Sequence, residues 1–303
     1  MRVLVLGAGG IIGQHLRVSC PENVEPMFFR KSDDGVSYYG DLTNREDLFV
    51  RLMRSTPDAI INLAGENRPD VVERNPGKYR AVNVEVPAFL SAWSQANGCH
   101  YVHVSSQAVF GGMPEGFTQS HMVASFLPPY GPDSPRMPVN QYGLQKLQAE
   151  SEVMSGGKSW TIVRPTFVLG MRPLLIGREN PVEQMLGPVQ AIAEGETIAV
   201  MRQVCDRWFS VSFAWDVAAK LWEVAMGEPQ RCALHVGIPF RTNRHILASY
   251  LRPDLNVEAV SHDDFEGLAP RPIDTTYAGA GSFSQIAEGL DRCKAEYEAR
   301  ESK

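Results

Sequence analysis

With 303 residues, 44% of them hydrophobic and 21% charged, the chain is long enough for one large domain or two lobes around an ample core. A net charge of −6 supplies no electrostatic footprint for DNA, RNA or an anionic membrane, and no apolar run approaches the length of a membrane span. The first apolar run, 3–6, is too short for a signal peptide. The five cysteines (Cys20, Cys99, Cys205, Cys232, Cys293) show neither a CxxC nor a histidine at zinc spacing, so no metal site is expected. Reduced, mostly buried thiols in a cytoplasmic protein are the expectation.

Residues 1–6, MRVLVL, suit a strand buried on both faces. Gly7-Ala8-Gly9-Gly10-Ile11-Ile12-Gly13 follows, and then a helical pattern to about Val18. Strand, glycine turn and helix in that order point to dinucleotide binding. Gly7 permits the tight turn and Gly10 lets a pyrophosphate approach the backbone. Gly13 lets the helix close on the sheet, and the helix start at Ile11 and Ile12 faces the phosphates. The register is GxxGxxG, because the commoner GxGxxG would need glycine at Ile12.

Residues 24–29 read as the second strand, with Arg30 and Lys31 at its end, where the adenosine ribose is met. Basic residues there suit a 2′-phosphate and favour NADP, while Asp33 and Asp34 keep NAD in play. Gly40-Asp41-Leu42 leads into an amphipathic helix ending near Ser55, and 57–65 is a buried strand running into the small-residue turn Leu63-Ala64-Gly65. Residues 76–96 form a long predicted helix carrying Asn83, and 100–105 the next strand, continuing into Ser105-Ser106-Gln107-Ala108-Val109-Phe110-Gly111. Strands and helices alternating at this spacing mean an α/β protein with a doubly wound parallel sheet. Ligands of such sheets sit beyond the C-terminal strand ends, where Gly7, Arg30, Ala64 and Ser106 all fall.

From 111 to 139 the composition turns to Pro, Gly and Ser, the mark of a long functional loop. The next helix, starting at Asn140, places Tyr142 and Lys146 one turn apart on one face. An ammonium so placed favours the phenolate and lowers the phenol's pKa, so that the pair can pass a proton to or from an alcohol oxygen. On its own this spacing is more often that of a solvated helix face. Residues 160–165 make a further strand ending in Arg164-Pro165, after which Pro173, Gly177, Pro181, Gly187 and Pro188 break the rhythm. We read 1–168 as a dinucleotide-binding domain and 169–303 as a smaller substrate lobe. The two interleave, because 232–236 has the pattern of a strand returning to the main sheet. A helical segment at 283–300 closes the chain.

With GxxGxxG at 7–13, GDLT at 40–43, NLAG at 62–65, Asn83, SSxxVFG at 105–111, YxxxK at 142–146 and RP at 164–165 in line, the chain resembles the extended short-chain dehydrogenase/reductases that act on nucleotide sugars, the NAD-dependent epimerase/dehydratase family. The segment 206–218 and the late Arg271-Pro272 resemble the second-lobe motifs of its keto-sugar reductases. The resemblance implies a Rossmann sheet, Tyr142 as general acid/base, and Lys146 as its pKa-lowering partner on the nicotinamide ribose. It also implies Ser106 beside Tyr142 on the reacting sugar oxygen. Asp41, Leu42, Leu63, Ala64, Gly65, Ser105 and Arg164 would line the cofactor, with Asn83 supporting the site. Arg271 would hold substrate phosphate, and Gln107, Phe167 and Asn180 would line the sugar pocket.

Departures from the pattern carry information too. The family's 4,6-dehydratases have Asp-Glu where this chain has Gln107-Ala108, which removes the acid and base of dehydration. Pro132 stands in a glutamate position and Tyr277 in a leucine position, both expected near substrate or partner surfaces. The expected function is NADPH-dependent reduction of a 4-keto nucleotide sugar or related keto-sugar. The alternatives are an epimerase holding NAD(P) tightly and a non-catalytic dinucleotide-binding sensor or scaffold. The expected partner is a small nucleotide sugar, with no nucleic acid and no membrane, and a homodimer is compatible with the resemblance.

Overall fold

The strand-and-helix rhythm of the first 165 residues builds a parallel sheet whose two faces are covered by different helices. In the computed structural model the described residues are 1–30, 38–111, 128–156, 159–174, 180–187 and 200–302, without the side chains of Arg30, Tyr38 and Tyr39. The first half runs β1 (Arg2–Leu6), α1 (Ile11–Val18), β2 (Glu25–Arg30), β3 (Tyr38–Tyr39), α2 (Arg45–Ser55), β4 (Ala59–Asn62), α3 (Pro69–Arg74), α4 (Pro76–Arg80), α5 (Val86–Asn97), β5 (His100–Val104), α6 (Gln141–Gly156) and β6 (Trp160–Pro165). The second half runs β7 (Phe167–Leu169), α7 (Pro181–Leu186), β8 (Val200–Val204), β9 (Trp208–Phe213), α8 (Ala214–Met226), β10 (Cys232–Val236), β11 (Ile238–Thr242), α9 (Arg244–Leu251), β12 (Asn256–Val260), β13 (Asp274–Thr275) and α10 (Phe283–Glu301).

Among the described residues the main sheet has seven parallel strands in the order β10-β6-β5-β4-β1-β2-β3. Side chains alternate between its faces as the pleat demands. Val3, Val5, Ala59, Ile61, Val102, Val104 and Val163 face one layer with Leu16 of α1 and Val217 and Leu221 of α8. Leu4, Leu6, Ile60, Tyr101 and Ile162 face the other, with Leu52 of α2, Leu90 of α5 and Val153 of α6. The strand order reverses between β1 and β4, so a crevice opens above these two strands. The expected return of 232–236 is seen directly: β10 pairs in parallel with β6, Cys232 opposite Thr161 and Val236 opposite Pro165. A second core gathers β7, β8, β9, α7, α9 and α10 around Leu169, Met185, Phe213, Leu247 and Leu290.

The helix expected at 76–96 is interrupted. Pro87 has no N–H to continue the α ladder, and residues Ala81–Glu85 form a π turn closed by the Val86 N–H on the Ala81 carbonyl. That turn carries Asn83. Cys99 and Cys293 are buried, while Cys20, Cys205 and Cys232 are half-buried, and all five are free thiols. Among the described residues no helix is long and apolar enough to cross a membrane.

Candidate active site

The glycine turn after β1 sits in the crevice at the strand-order reversal. Gly7 has φ +87°, and a Cβ there would lie 2.8 Å from the Ala64 nitrogen. Glycine is the residue that can occupy that position. A Cβ at Gly13 would meet the Ala8 Cα at 2.6 Å, so glycine brings α1 against the end of β1. A Cβ at Gly10 would meet only the Gly7 carbonyl, at an ordinary 3.7 Å, and Gly10 is exposed; among the described residues no side chain caps α1 at its N-terminus. The backbone N–H groups of that first turn are therefore left for an anion, which fits the pyrophosphate of a dinucleotide. Ile12 packs on the core beneath.

The ends of β4 and β5 form the opposite lip. Asn62 accepts the Ala64 N–H at 3.0 Å and shapes the Leu63-Ala64-Gly65 turn. The buried Asn83 accepts the Glu66 N–H at 2.8 Å and donates to the Glu66 carbonyl and to Gln145 of α6. A Cβ at Gly65 would collide with that Asn83 oxygen, so Asn83 supports this turn through an all-protein network. Asp41 is exposed, holding the Thr43 N–H and hydroxyl at 2.9 and 2.8 Å, and Leu42 is buried beside it. Arg30 closes β2, but its side chain lies outside the described residues, as do Lys31, Asp33 and Asp34.

Tyr142 and Lys146 lie on the buried side of α6, 7% and 6% exposed. Asn140 caps the helix start by accepting the Gly143 N–H at 2.8 Å, and Glu73 of α3 accepts the Gln141 N–H at 2.8 Å. Lys146 Nζ donates to the Val104 carbonyl at the end of β5, 3.0 Å away, and lies 6.0 Å from the centre of the Tyr142 ring. Ser106, just past β5, accepts the Ala108 N–H, and its hydroxyl lies close enough to the Tyr142 phenol to lower its pKa. Ser105 is buried behind it, and Gln107 opens the short turn that follows.

Gly143 allows this convergence, because a Cβ on it would strike the Ala108 carbonyl of the Ser106 turn. Gly143→Ala should push that turn off α6. We expect a loss of ~1–3 kcal/mol of stability, read as a lower denaturant midpoint with an unchanged m-value.

The electrostatics correct one expectation. The phenol's pKa is raised, not lowered. Burial pushes Tyr142 up to about 12, against the smaller opposing effect of the nearby Ser106 hydroxyl, and the Glu66 charge adds to the rise. Burial brings Lys146 itself down to about 8, partly offset by the Glu150 carboxylate one turn further along α6. His103 sits in the same dry layer, where burial and the Lys146 charge push it down to about 3 and leave it neutral.

Residues 1–279 match the family model described as the RmlD substrate binding domain. The chain belongs to the RmlD substrate binding domain family. Among named relatives it is 30% identical over 175 residues to a dTDP-4-dehydrorhamnose reductase of Burkholderia thailandensis, covering 57% of this chain and 52% of that protein. It is 28% identical over 193 residues to the methionine adenosyltransferase 2 subunit beta of Danio rerio, covering 60% and 50%. The chain thus spans about half the length of these curated relatives. The crystal structure of dTDP-4-dehydrorhamnose reductase from Bacillus anthracis in complex with NADP superposes with a TM-score of 0.76 at 22% identity, over 97% of this chain and 99% of that one.

Against this RmlD-family background, several expected contacts are used otherwise. Arg164 does not line the cofactor site. It is fully buried, its Nε and Nη2 each 2.8 Å from a Glu150 oxygen and its Nη1 2.7 Å from the Pro132 carbonyl. Glu150 also takes Arg136 at 2.9 Å. Burial alone would raise its carboxyl, but the bonds and charge of Arg164 outweigh that and hold it below its usual range.

Asn180 is spent on capping α7. Its oxygen accepts the Val182 and Glu183 N–H groups, and its amide donates to Glu183 at 2.8 Å. Arg271 is clasped by Asp70, with Nη2 at 2.8 and 2.9 Å from the two oxygens. Phe167 begins β7 with its ring 4.4 Å from that of Phe209.

The two departing segments meet through the buried Tyr130 and Tyr277, while Pro132 itself is exposed. Tyr277 is 2% exposed, donates to the Arg164 carbonyl at 3.1 Å, and lies in the segment bonded to Tyr130 through the Thr276 carbonyl at 2.8 Å. Asp70, Gly143 and Glu150 escaped the sequence reading, although Glu150, four residues after Lys146 on a helix, was the one with a readable spacing.

Proposed function

We propose that this protein is an NADPH-dependent reductase of a 4-keto nucleotide sugar or a closely related keto-sugar. Residues 1–168 hold the dinucleotide and 169–303 supply the substrate lobe. The observation that carries the reading is the convergence of Ser106 and Tyr142, with Lys146 behind them, beside a glycine cradle at the strand-order reversal. NADPH, when bound, supplies the hydride for the carbonyl carbon. Gly7, Gly10 and Gly13 and the uncapped start of α1 would hold its pyrophosphate, and the basic pair Arg30-Lys31 favours a 2′-phosphate. The Bacillus anthracis reductase of the same fold, crystallised with NADP, supports that choice.

In this reading Ser106 orients the carbonyl oxygen and Tyr142 donates its phenolic proton to it, completing the alcohol. A phenol near 12 carries its proton at neutral pH. An epimerase would use the same three residues and would differ in retaining its cofactor through turnover. A sensor or scaffold would have no use for Tyr142, Lys146 and Ser106 together.

The purified protein should oxidise NADPH, one equivalent per alcohol formed, with a dTDP-, GDP- or UDP-linked 4-keto sugar. Silence across that panel would overturn the reading. Stoichiometric cofactor retained through purification, and not consumed during turnover, would replace it with the epimerase.

A further inference from the structure

A nucleotide-sugar substrate brings a diphosphate, and an anion of that charge needs a cation with capacity to spare. Arg271 has little. Both Asp70 oxygens lie on its Nη2, and its Nη1 donates to the Ala269 carbonyl at 2.8 Å, so its charge is already matched. Its segment is nonetheless next to the catalytic helix, because Asn140 donates to the Pro270 carbonyl at 2.7 Å.

Arg244, the first residue of α9, is the opposite case. Its Nε donates to Gln203 of β8 at 3.0 Å, which orients the guanidinium plane and leaves the Nη edge available. The guanidinium carbon lies 5.7 Å from the centre of the Phe167 ring, and Phe167 stands two residues past the last residue of β6. Among the described residues no carboxylate pairs with Arg244, although the side chain is partly withdrawn from water. Burial, and the positive charge of Arg271 close by, hold its pKa below the ordinary arginine range. A cation in such a place is costly to the folded protein until an anion joins it.

We propose that Arg244, oriented by Gln203 and lying over Phe167, is the cation that receives the diphosphate of a nucleoside-diphosphate substrate, with the Arg271–Asp70 pair bordering the site. This rests on the nucleotide-sugar reading above. A planar fork with its Nη edge free suits bidentate binding to phosphate oxygens, and the Phe167 ring, 5.7 Å from the guanidinium carbon, lies beside it. No motif in the sequence marks Arg244, and its role emerges only where β7, β8 and α9 meet.

The test is calorimetric titration of dTDP, UDP and GDP, and of the matching nucleosides, into wild type and into Arg244→Gln, Arg244→Lys, Gln203→Met and Arg271→Gln. Thermal midpoints and NADPH affinity are measured alongside. Wild type should bind at least one nucleoside diphosphate well above its nucleoside. Arg244→Gln should weaken that binding ~10–100-fold, and Arg244→Lys and Gln203→Met should lose less. For turnover, Arg244→Gln should raise KM by a similar factor while kcat falls less than about threefold.

Diphosphate binding unchanged in a folded Arg244→Gln, or lost in Arg271→Gln alone, overturns the assignment while leaving the reductase reading intact. Should Arg244→Gln not fold, Arg244→Lys and Gln203→Met decide, and wild-type affinity in both overturns it. A wild type that binds no nucleoside diphosphate and reduces no nucleotide sugar removes the reading and this inference together.

Discussion

Tyr142→Phe is expected to lower kcat by ~10²–10⁴-fold while leaving NADPH affinity within a few-fold of wild type. The substitution deletes one oxygen from a buried ring and leaves its volume almost unchanged. The loss therefore reports the proton and not a cavity. Ser106 would still meet the substrate oxygen, which sets the residual rate. Steady-state kinetics and a cofactor titration on the same preparation check both halves, and wild-type turnover in the phenylalanine variant would exclude Tyr142 as the proton donor. On the alkaline side, wild-type activity should fall as Lys146 loses its proton near pH 8, well before the phenol titrates.

Glu150→Gln is expected to cost ~3–5 kcal/mol of stability, because it leaves the fully buried Arg164 without its counter-charge. Pairing it with Arg164→Met should recover much of that loss, and denaturant unfolding of the two single variants and the double variant measures the coupling.

The pH signature follows from the sign of the shift. The Glu150 carboxyl titrates below its ordinary range in the folded protein. Its contribution is complete above the unfolded carboxyl's ~4.3 and is lost as pH falls through the lower folded value. Wild type should carry that acid-side loss and Glu150→Gln should lack it. Lys146 has the reverse sense. Its folded pKa of about 8 lies below the ordinary 10.5, so its burial penalty is full below pH 8 and is relieved as pH rises from 8 to 10.5. Since Glu150 holds Lys146 up, its removal should also move the alkaline limb of kcat to lower pH. A purely structural role for Glu150 would leave that limb in place.

Patterns spanning a few residues could be read from the chain because local geometry dictates them. A strand, a glycine turn and a helix can pack at Gly7–Gly13 in only one way, and Tyr142 and Lys146 must share a helix face. Even the return of 232–236 to the sheet was visible, as an apolar strand pattern after a broken stretch. What could not be read depended on partners far along the chain. Arg164 looks the same in sequence whether it faces a cofactor or Glu150, and Arg271 the same whether or not Asp70 holds it. The Tyr142 pKa went the other way because burial, which no spacing encodes, outweighs the lowering effect of Ser106. Asn180 is a different failure. Asn180-Pro181-Val182-Glu183 carries the N-cap, first-turn proline and N3 glutamate of a capping box, and the local signal was there to be preferred over the resemblance.

The parallel pairing of β10 with β6 has a consequence for how the protein is made. As the chain leaves the ribosome, β1 to β6 are all available once Pro165 has emerged, yet the outer edge of β6 must wait for Val236. At ~5–20 residues per second that interval is on the order of several seconds, during which a row of unpaired backbone groups on an apolar strand stays open to other nascent chains. Yield from cells should therefore depend on translation speed and chaperone supply across that stretch far more than on the stability of the finished protein.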